Sequence, residues 1–315
     1  MPLDPQAQEV LDQLAALGLA PNHILTPEEA RANQLLRARA VGPEVAKVED
    51  RAIPGSDAQV PVRVYTPEGT GPFPVLSWFH GGGWVLGNLD TADATARYLA
   101  VEAGCVVVSV GYRLAPEAKF PVPLDDCFAA TEWISQNAAS ISADTNKIAV
   151  GGDSAGGNLA AAVALRARDQ RGPSLALQLL VYPVMARDFN TASYLQNGEG
   201  YMLTTDGMKW FWDHYLRNDA DASNPYAAPA ASKDLSGLPP ALVITAEFDP
   251  LRDEGEAYAQ RLKTAGVATT SSRYDGMLHG FFTMSAVIDK GKEAISEASS
   301  ALRAAFLARE RATTP

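Results

Sequence analysis

From residue 73 onward the chain repeats one rhythm: a short apolar or β-branched run, a turn, then a longer stretch that suits a helix. The runs are FPVLSWFH (73–80), CVVVSVGY (105–112), NKIAVGG (146–152), ALQLLVYP (176–183), PALVITAEFD (240–249) and VATTSSRYDG (267–276). Between most of them lie segments such as TADATARYLAVEAG, PLDDCFAATEWISQNA and SAGGNLAAAVALRARDQRG. Strands that are apolar almost throughout are buried on both faces, so this rhythm predicts an α/β fold: a mostly parallel sheet with helices on both sides and right-handed crossovers.

Three departures from the rhythm organise the rest. VEDRAIPG and AQVPVRVYTP (48–67) alternate and carry turn residues at their ends, which predicts two antiparallel strands ahead of the parallel set. Residues 5–40 read as two polar, alanine-rich helical pieces, the second opening at Thr26-Pro27-Glu28-Glu29 with an N-cap, an N1 proline and an acidic first turn. After LVYPVM (180–185) about 55 residues pass before the next strand, too many for a loop inside a regular α/β chain and better read as an insertion. The expected division is therefore an N-terminal helical part of a cap (1–45), a first part of the core (46–185), a cap insertion (186–225) and a second part of the core (226–315).

Charge narrows the partners. The chain carries 37 acidic against 26 basic side chains, a net charge of −11 without a Lys/Arg block, which excludes the basic face that nucleic acid requires. The opening MPLDPQAQEVLDQL has no basic or apolar leader pattern, and no segment approaches the roughly 18 apolar residues needed to span a bilayer, so no integral membrane association and a cytoplasmic location are expected. Cys105 and Cys127 lie in different segments and read as reduced core thiols.

The chemistry is concentrated in GGDSAGGN (151–158). Gly152-Asp153-Ser154-Ala155-Gly156 fits G-x-S-x-G between a predicted strand and a predicted helix, the setting of a nucleophile elbow in which small residues two positions either side relieve a strained turn. A dinucleotide-binding loop is the competing reading, but the order is not G-x-G-x-x-G and no lysine follows as in a P-loop. A serine hydroxyl needs a base. Of His23, His80, His214 and His279, only His279 lies far enough downstream for the order serine, acid, histidine; His23 and His214 read as surface or packing residues. Asp249, in the turn after PALVITAEF, is the expected acid. Asp253 and Glu254, one helical turn on, read as solvated or capping residues, and Asp275 as a residue shaping the histidine loop. His80-Gly81-Gly82-Gly83-Trp84 directly after another strand lets main-chain amides converge on an oxyanion, with the amide of Ala155 as a further donor.

Together HGGGW, YRLAPE, GDSAGG, the FDPL around Asp249 and the LHGF around His279 resemble the hormone-sensitive-lipase-like esterases, also called bacterial family IV, over nearly the whole chain. That resemblance implies an α/β-hydrolase core of eight strands under a helical cap, with Ser154, Asp249 and His279 as triad and Gly81, Gly82 and Ala155 as oxyanion hole. It also implies supporting roles for Asp153 and His80, and structural ones near the site for Tyr112 and Arg113. The expected activity is a serine carboxylesterase acting without metal or organic cofactor on a small-molecule ester, with acyl chains of about four to eight carbons. An amidase, lactonase or acyltransferase with the same triad stays open, as does a non-catalytic small-molecule receptor of the same fold. Trp84, Tyr182, Trp210 and Phe211 are the candidate pocket residues, although Tyr201, Trp210, Phe211, Trp212 and Tyr215 stand at near-helical spacing and read first as cap packing. The last predicted strand sits at a sheet edge, so a homodimer through it and a monomer are both open.

Overall fold

The computed structural model describes residues 1–36 and 40–313. In chain order the elements are α1 (Pro5–Ala16), α2 (Pro27–Leu35), β1 (Lys47–Pro54), β2 (Gln59–Thr66), β3 (Phe73–Phe79), α3 (Asp93–Ala103), β4 (Val106–Val110), α4 (Val122–Asn137), β5 (Ala143–Asp153) and α5 (Ala155–Asp169). They continue with β6 (Leu175–Val181), α6 (Ala192–Asn197), α7 (Thr205–Tyr215), β7 (Ala241–Phe248), α8 (Arg252–Thr264), β8 (Thr269–Leu278) and α9 (Asp289–Thr313). The strands form one eight-stranded sheet in the order β1-β2-β4-β3-β5-β6-β7-β8. β1 and β2 pair antiparallel, β2 meets β4 antiparallel, and every later pairing is parallel.

Side-chain alternation along the central strands explains the unbroken apolar runs. Val106, Val108 and Val110 of β4, Ile148 and Val150 of β5 and Val243 of β7 face the core that holds α4, α5 and α8 through Leu124, Phe128, Leu159, Val163 and Leu262. The residues between them, Val107, Ala149, Leu242 and Ile244, face the opposite core with Leu99 of α3 and Ile295, Leu302 and Phe306 of α9. Both faces of the central strands are therefore dry, as a parallel sheet requires. Cys105 and Cys127 are buried and unpaired. No helix among the described residues is long and apolar enough to cross a membrane.

All eight expected strands form, and β8 lies at a sheet edge. α9 was not anticipated, because its sequence is rich in alanine, serine and charge. The signal was nevertheless present: Ala294, Ile295, Ala298, Leu302 and Phe306 recur at helical spacing and every one is buried. α2 opens with a complete capping box between Thr26 and Glu29 and ends at Leu35. The expected continuation of this helix to residue 40 crosses 37–39, which lie outside the described residues. α1 docks Ala7 and Val10 into the α9-side core, and the turn at Asn22–Ile24 touches α7.

Between β5 and α5 the chain turns on a single residue. Ser154 has φ 56 and ψ −118, a left-handed backbone that costs a non-glycine residue about 1–3 kcal/mol. The turn closes because nothing projects from its neighbours: a Cβ on Gly152 would lie 2.4 Å from the carbonyl oxygen of Phe79, and one on Gly156 1.8 Å from the same atom. Gly156→Ala must push the end of β3 off the elbow, and we expect a loss of at least about 3 kcal/mol. Thermal unfolding of the variant checks this, and an unchanged melting temperature would contradict it.

Candidate active site

The C-terminal ends of β3, β5, β7 and β8 meet at one place, so residues far apart in sequence become neighbours there. Ser154 Oγ lies 3.0 Å from His279 Nε2, and His279 Nδ1 lies 2.7 Å from Asp249 Oδ2. With its proton on Nδ1, the imidazole donates to the carboxylate and accepts the serine hydroxyl. Asp249 is fully buried, and Ser154 and His279 are 7% exposed. The second oxygen of Asp249, Oδ1, accepts the amide of Leu251 at 2.9 Å, which fixes the carboxylate plane. The Ser154 amide donates to Val181 O at 2.9 Å, tying the elbow to the end of β6.

The rival acids lie elsewhere. Asp253 accepts the amide of Ser193, the backbone oxygen of Asp275 accepts from Lys290, and Glu254 is 5% exposed and accepts the amides of Met185 and Ala186 at 2.6 and 3.3 Å. Glu254 is thus a buried tie and not the solvated residue its position suggested, and burial pushes its carboxyl well above the ordinary range. His214 packs edge-on against Trp210, and His23 sits in the N-terminal turn.

The glycine loop after β3 is organised from three sides. The Gly81 amide donates to Asp153 Oδ1 at 3.0 Å, so Gly81 is already occupied and is corrected out of the expected donor set. The amides of Gly82, Gly83 and Ala155 have no hydrogen-bond partner among the described residues. Gly82 has φ 111 and Gly83 φ 59, and a Cβ on Gly83 would lie 2.1 Å from the Phe211 ring. His80 is buried, donates from Nδ1 to Gly81 O at 2.8 Å and stacks on Tyr112 at 4.3 Å, while the Tyr112 hydroxyl donates to His80 O. Burial brings the His80 imidazole down to about 4, so it is neutral at pH 7. Arg113 holds Asp126 and Asp57.

Two further supports come from α2, which the sequence marked only as a polar helix. Arg31 donates to Val85 O at 2.9 Å and to Ala115 O at 2.8 Å while clasping Glu117, and Gln34 Oε1 accepts the Gly87 amide at 3.0 Å. A long polar side chain on a helix gives no sequence signal of which distant carbonyl it reaches.

The four candidate pocket aromatics separate. Trp84 is fully buried, stacked 4.1 Å from Tyr215 and 4.7 Å from Trp212, and Tyr182 is 1% exposed with its ring 4.6 Å from that of His279. Neither offers a surface to a ligand, so both are packing residues. Phe211 presses on Gly83 and Trp210 packs edge-on against Phe211, which leaves these two beside the loop.

A sequence profile of the alpha/beta hydrolase fold matches residues 76–283. The chain belongs to the α/β-hydrolase family. Within it the hydrolase falls in the hormone-sensitive-lipase-like branch. It is 40% identical over 311 residues to carboxylesterase NlhH of Mycobacterium tuberculosis, spanning 96% of each chain. It is also 40% identical over 288 residues to an arylesterase of Saccharolobus solfataricus, spanning 89% and 92%. The hyperthermophilic esterase of the archaeon Pyrobaculum calidifontis superposes with a TM-score of 0.91 at 42% identity, over 96% and 99% of the two chains. The hydrolase acts on carboxylic esters.

Asp153 gives this site a pH signature. Burial drives its carboxyl up to about 6, while the Gly81 amide and His279 pull it back down. Folding therefore favours the protonated form: this contribution to stability is complete below the unfolded value of about 3.9 and is lost as pH rises through about 6. Asp153→Asn keeps an acceptor for the Gly81 amide and removes that titration. Its stability relative to the parent should rise between pH 4 and pH 7 by up to about 3 kcal/mol. Paired melting curves at the two pH values check this, and an equal difference at both would contradict it.

Proposed function

We propose that this hydrolase cleaves short- to medium-chain acyl monoesters through an acyl-enzyme on Ser154. The observation that carries the reading is the buried row Ser154 Oγ, His279 Nε2, His279 Nδ1, Asp249 Oδ2, with links of 3.0 and 2.7 Å. Ser154 Oγ attacks the ester carbonyl carbon while His279 Nε2 takes its proton, and Asp249 stabilises the imidazolium. The oxyanion meets the amides of Gly82, Gly83 and Ala155, each donor contributing about 3 kcal/mol in sites of this kind. Collapse expels the alkoxide, which takes the proton from His279. Water then repeats the sequence on the acyl-enzyme, its proton passing to His279 and on to Ser154 as the acid leaves. A receptor would have no use for a base at hydrogen-bond distance from the serine.

The N-terminal segment and the insertion read as one cap over this row. Support comes from the contact of α7 with the turn at Asn22–Ile24, from Phe211 against Gly83, and from the place a Gly280 Cβ would take, 2.3 Å from the Met202 methyl. Large side chains so close to the reacting groups favour small acyl chains, and the arylesterase among the relatives fits a monoester substrate.

Ser154→Ala should lower turnover of a p-nitrophenyl ester by about 10⁴-fold or more with the melting temperature retained; wild-type turnover would remove the serine from the mechanism. Across an acyl series, kcat/KM should peak at about four to eight carbons. A peak on long-chain triglycerides would contradict the assigned substrate class.

A further inference from the structure

The acid Asp249 stands on a short turn whose own bonds are local: its carboxylate takes the Leu251 amide, and its carbonyl takes the Arg252 amide. Three main-chain oxygens at and just before that turn are also held by two buried side chains of α6, a six-residue helix of the insertion, one of the three, Glu247 O at the end of β7, being shared with Arg252 Nη1 at 3.0 Å. Ser193 Oγ donates to Pro250 O at 2.6 Å. Asn197 Nδ2 donates to Glu247 O at 3.1 Å and to Asp249 O at 3.4 Å. The contact is reciprocal, since the Ser193 amide donates to Asp253 Oδ2 at 2.7 Å and the Asp253 amide to Ser193 Oγ at 3.2 Å. Ser193 is fully buried and Asn197 is 5% exposed. The start of the insertion is tied to the same region, because Glu254 takes the amides of Met185 and Ala186.

We infer that α6 is a clamp on the catalytic acid, with Ser193 and Asn197 as positioning residues that set where Asp249 meets His279. The inference rests on the proposed triad. An acid displaced by a fraction of an ångström no longer aligns the imidazole with the serine, and small misplacements of catalytic groups lose large factors in rate. Ser193 and Asn197 bond to residues 247–253 and not to the glycine loop, so loss of the clamp falls on kcat and leaves KM nearly unchanged. It also makes the insertion part of the catalytic geometry: α6 cannot swing away without releasing the acid.

The test is steady-state kinetics on enzyme whose active sites are counted by fluorophosphonate titration, comparing Asn197→Leu, Ser193→Ala and Ser193→Thr. Asn197→Leu removes the donor at nearly constant size and adds no charge or new O–H, and Ser193→Ala removes the hydroxyl that Ser193→Thr keeps. Turnover per titrated site should fall by about 10-fold or more in the first two, with KM within about 3-fold of the parent, and Ser193→Thr should stay within about 3-fold in turnover. The two changes sit at opposite ends of α6, so failure of one to fold leaves the other to decide. Parental turnover per site in Asn197→Leu or Ser193→Ala, whatever happens to the melting temperature, would overturn the clamp, as would an equal loss in Ser193→Thr. Ser154→Ala runs alongside: if it kept its turnover, the triad reading would fail independently of α6.

Discussion

Everything at the Ser154 end of this sheet depends on one close approach, the packing of the elbow glycines against the carbonyl oxygen of Phe79. With hydrogens at positions 152 and 156, β5 can turn into α5 on Ser154 alone, and the serine is held at φ 56 by its bond to Val181 O. The strain in that residue is sustained by the surrounding sheet and helix. Its effect is to lift Oγ off the strand ends, where the imidazole arriving from β8 and the amides arriving from β3 can face it. A less tightly closed turn would leave the hydroxyl along the helix, out of line with both.

The groups that face Ser154 are loop residues, and loops hold position only through what they are bonded to. The glycine loop is fixed by Asp153 beneath it, by Tyr112 and His80 beside it, and by Arg31 and Gln34 reaching in from α2. The acid turn is fixed by Ser193 and Asn197 from α6. Each arm of the proposed machinery is thus held by a helix from outside the α/β core, one from the N-terminal segment and one from the insertion. The economy of the arrangement lies in burial. Carboxylates and amides enclosed away from water hold their partners far more firmly than exposed ones do.

How much of this could be read from residues alone follows from range. The strands were legible because each is a contiguous apolar run, and the meeting of Ser154, His279 and Asp249 because their order and local glycines carry information within a few positions. Trp84 and Tyr182 show where such reading ends: aromatic residues beside a motif suggest a pocket wall, yet Trp84 is spent on Tyr215 and Trp212 and Tyr182 on packing against His279. Gly81 was misplaced for a similar reason, since which of three successive amides stays free depends on Asp153, 72 residues away. Glu254 looked solvated from its charge, and only the fold places Met185 and Ala186 over it. The buried stripe of α9 is local yet hard to read, because alanine and serine make a weak apolar signal.

The central claim is that one carbonyl-sized position lies between Ser154 Oγ and the amides of Gly82, Gly83 and Ala155. A crystal structure of the enzyme inactivated by an alkylphosphonate tests it most directly, since the tetrahedral phosphonyl group mimics the attacked ester. The expected result is phosphorus bonded to Ser154 Oγ with its oxygen about 2.7–3.1 Å from those three amides. An adduct on another residue, or a phosphonyl oxygen turned to solvent with the amides unengaged, would contradict the account.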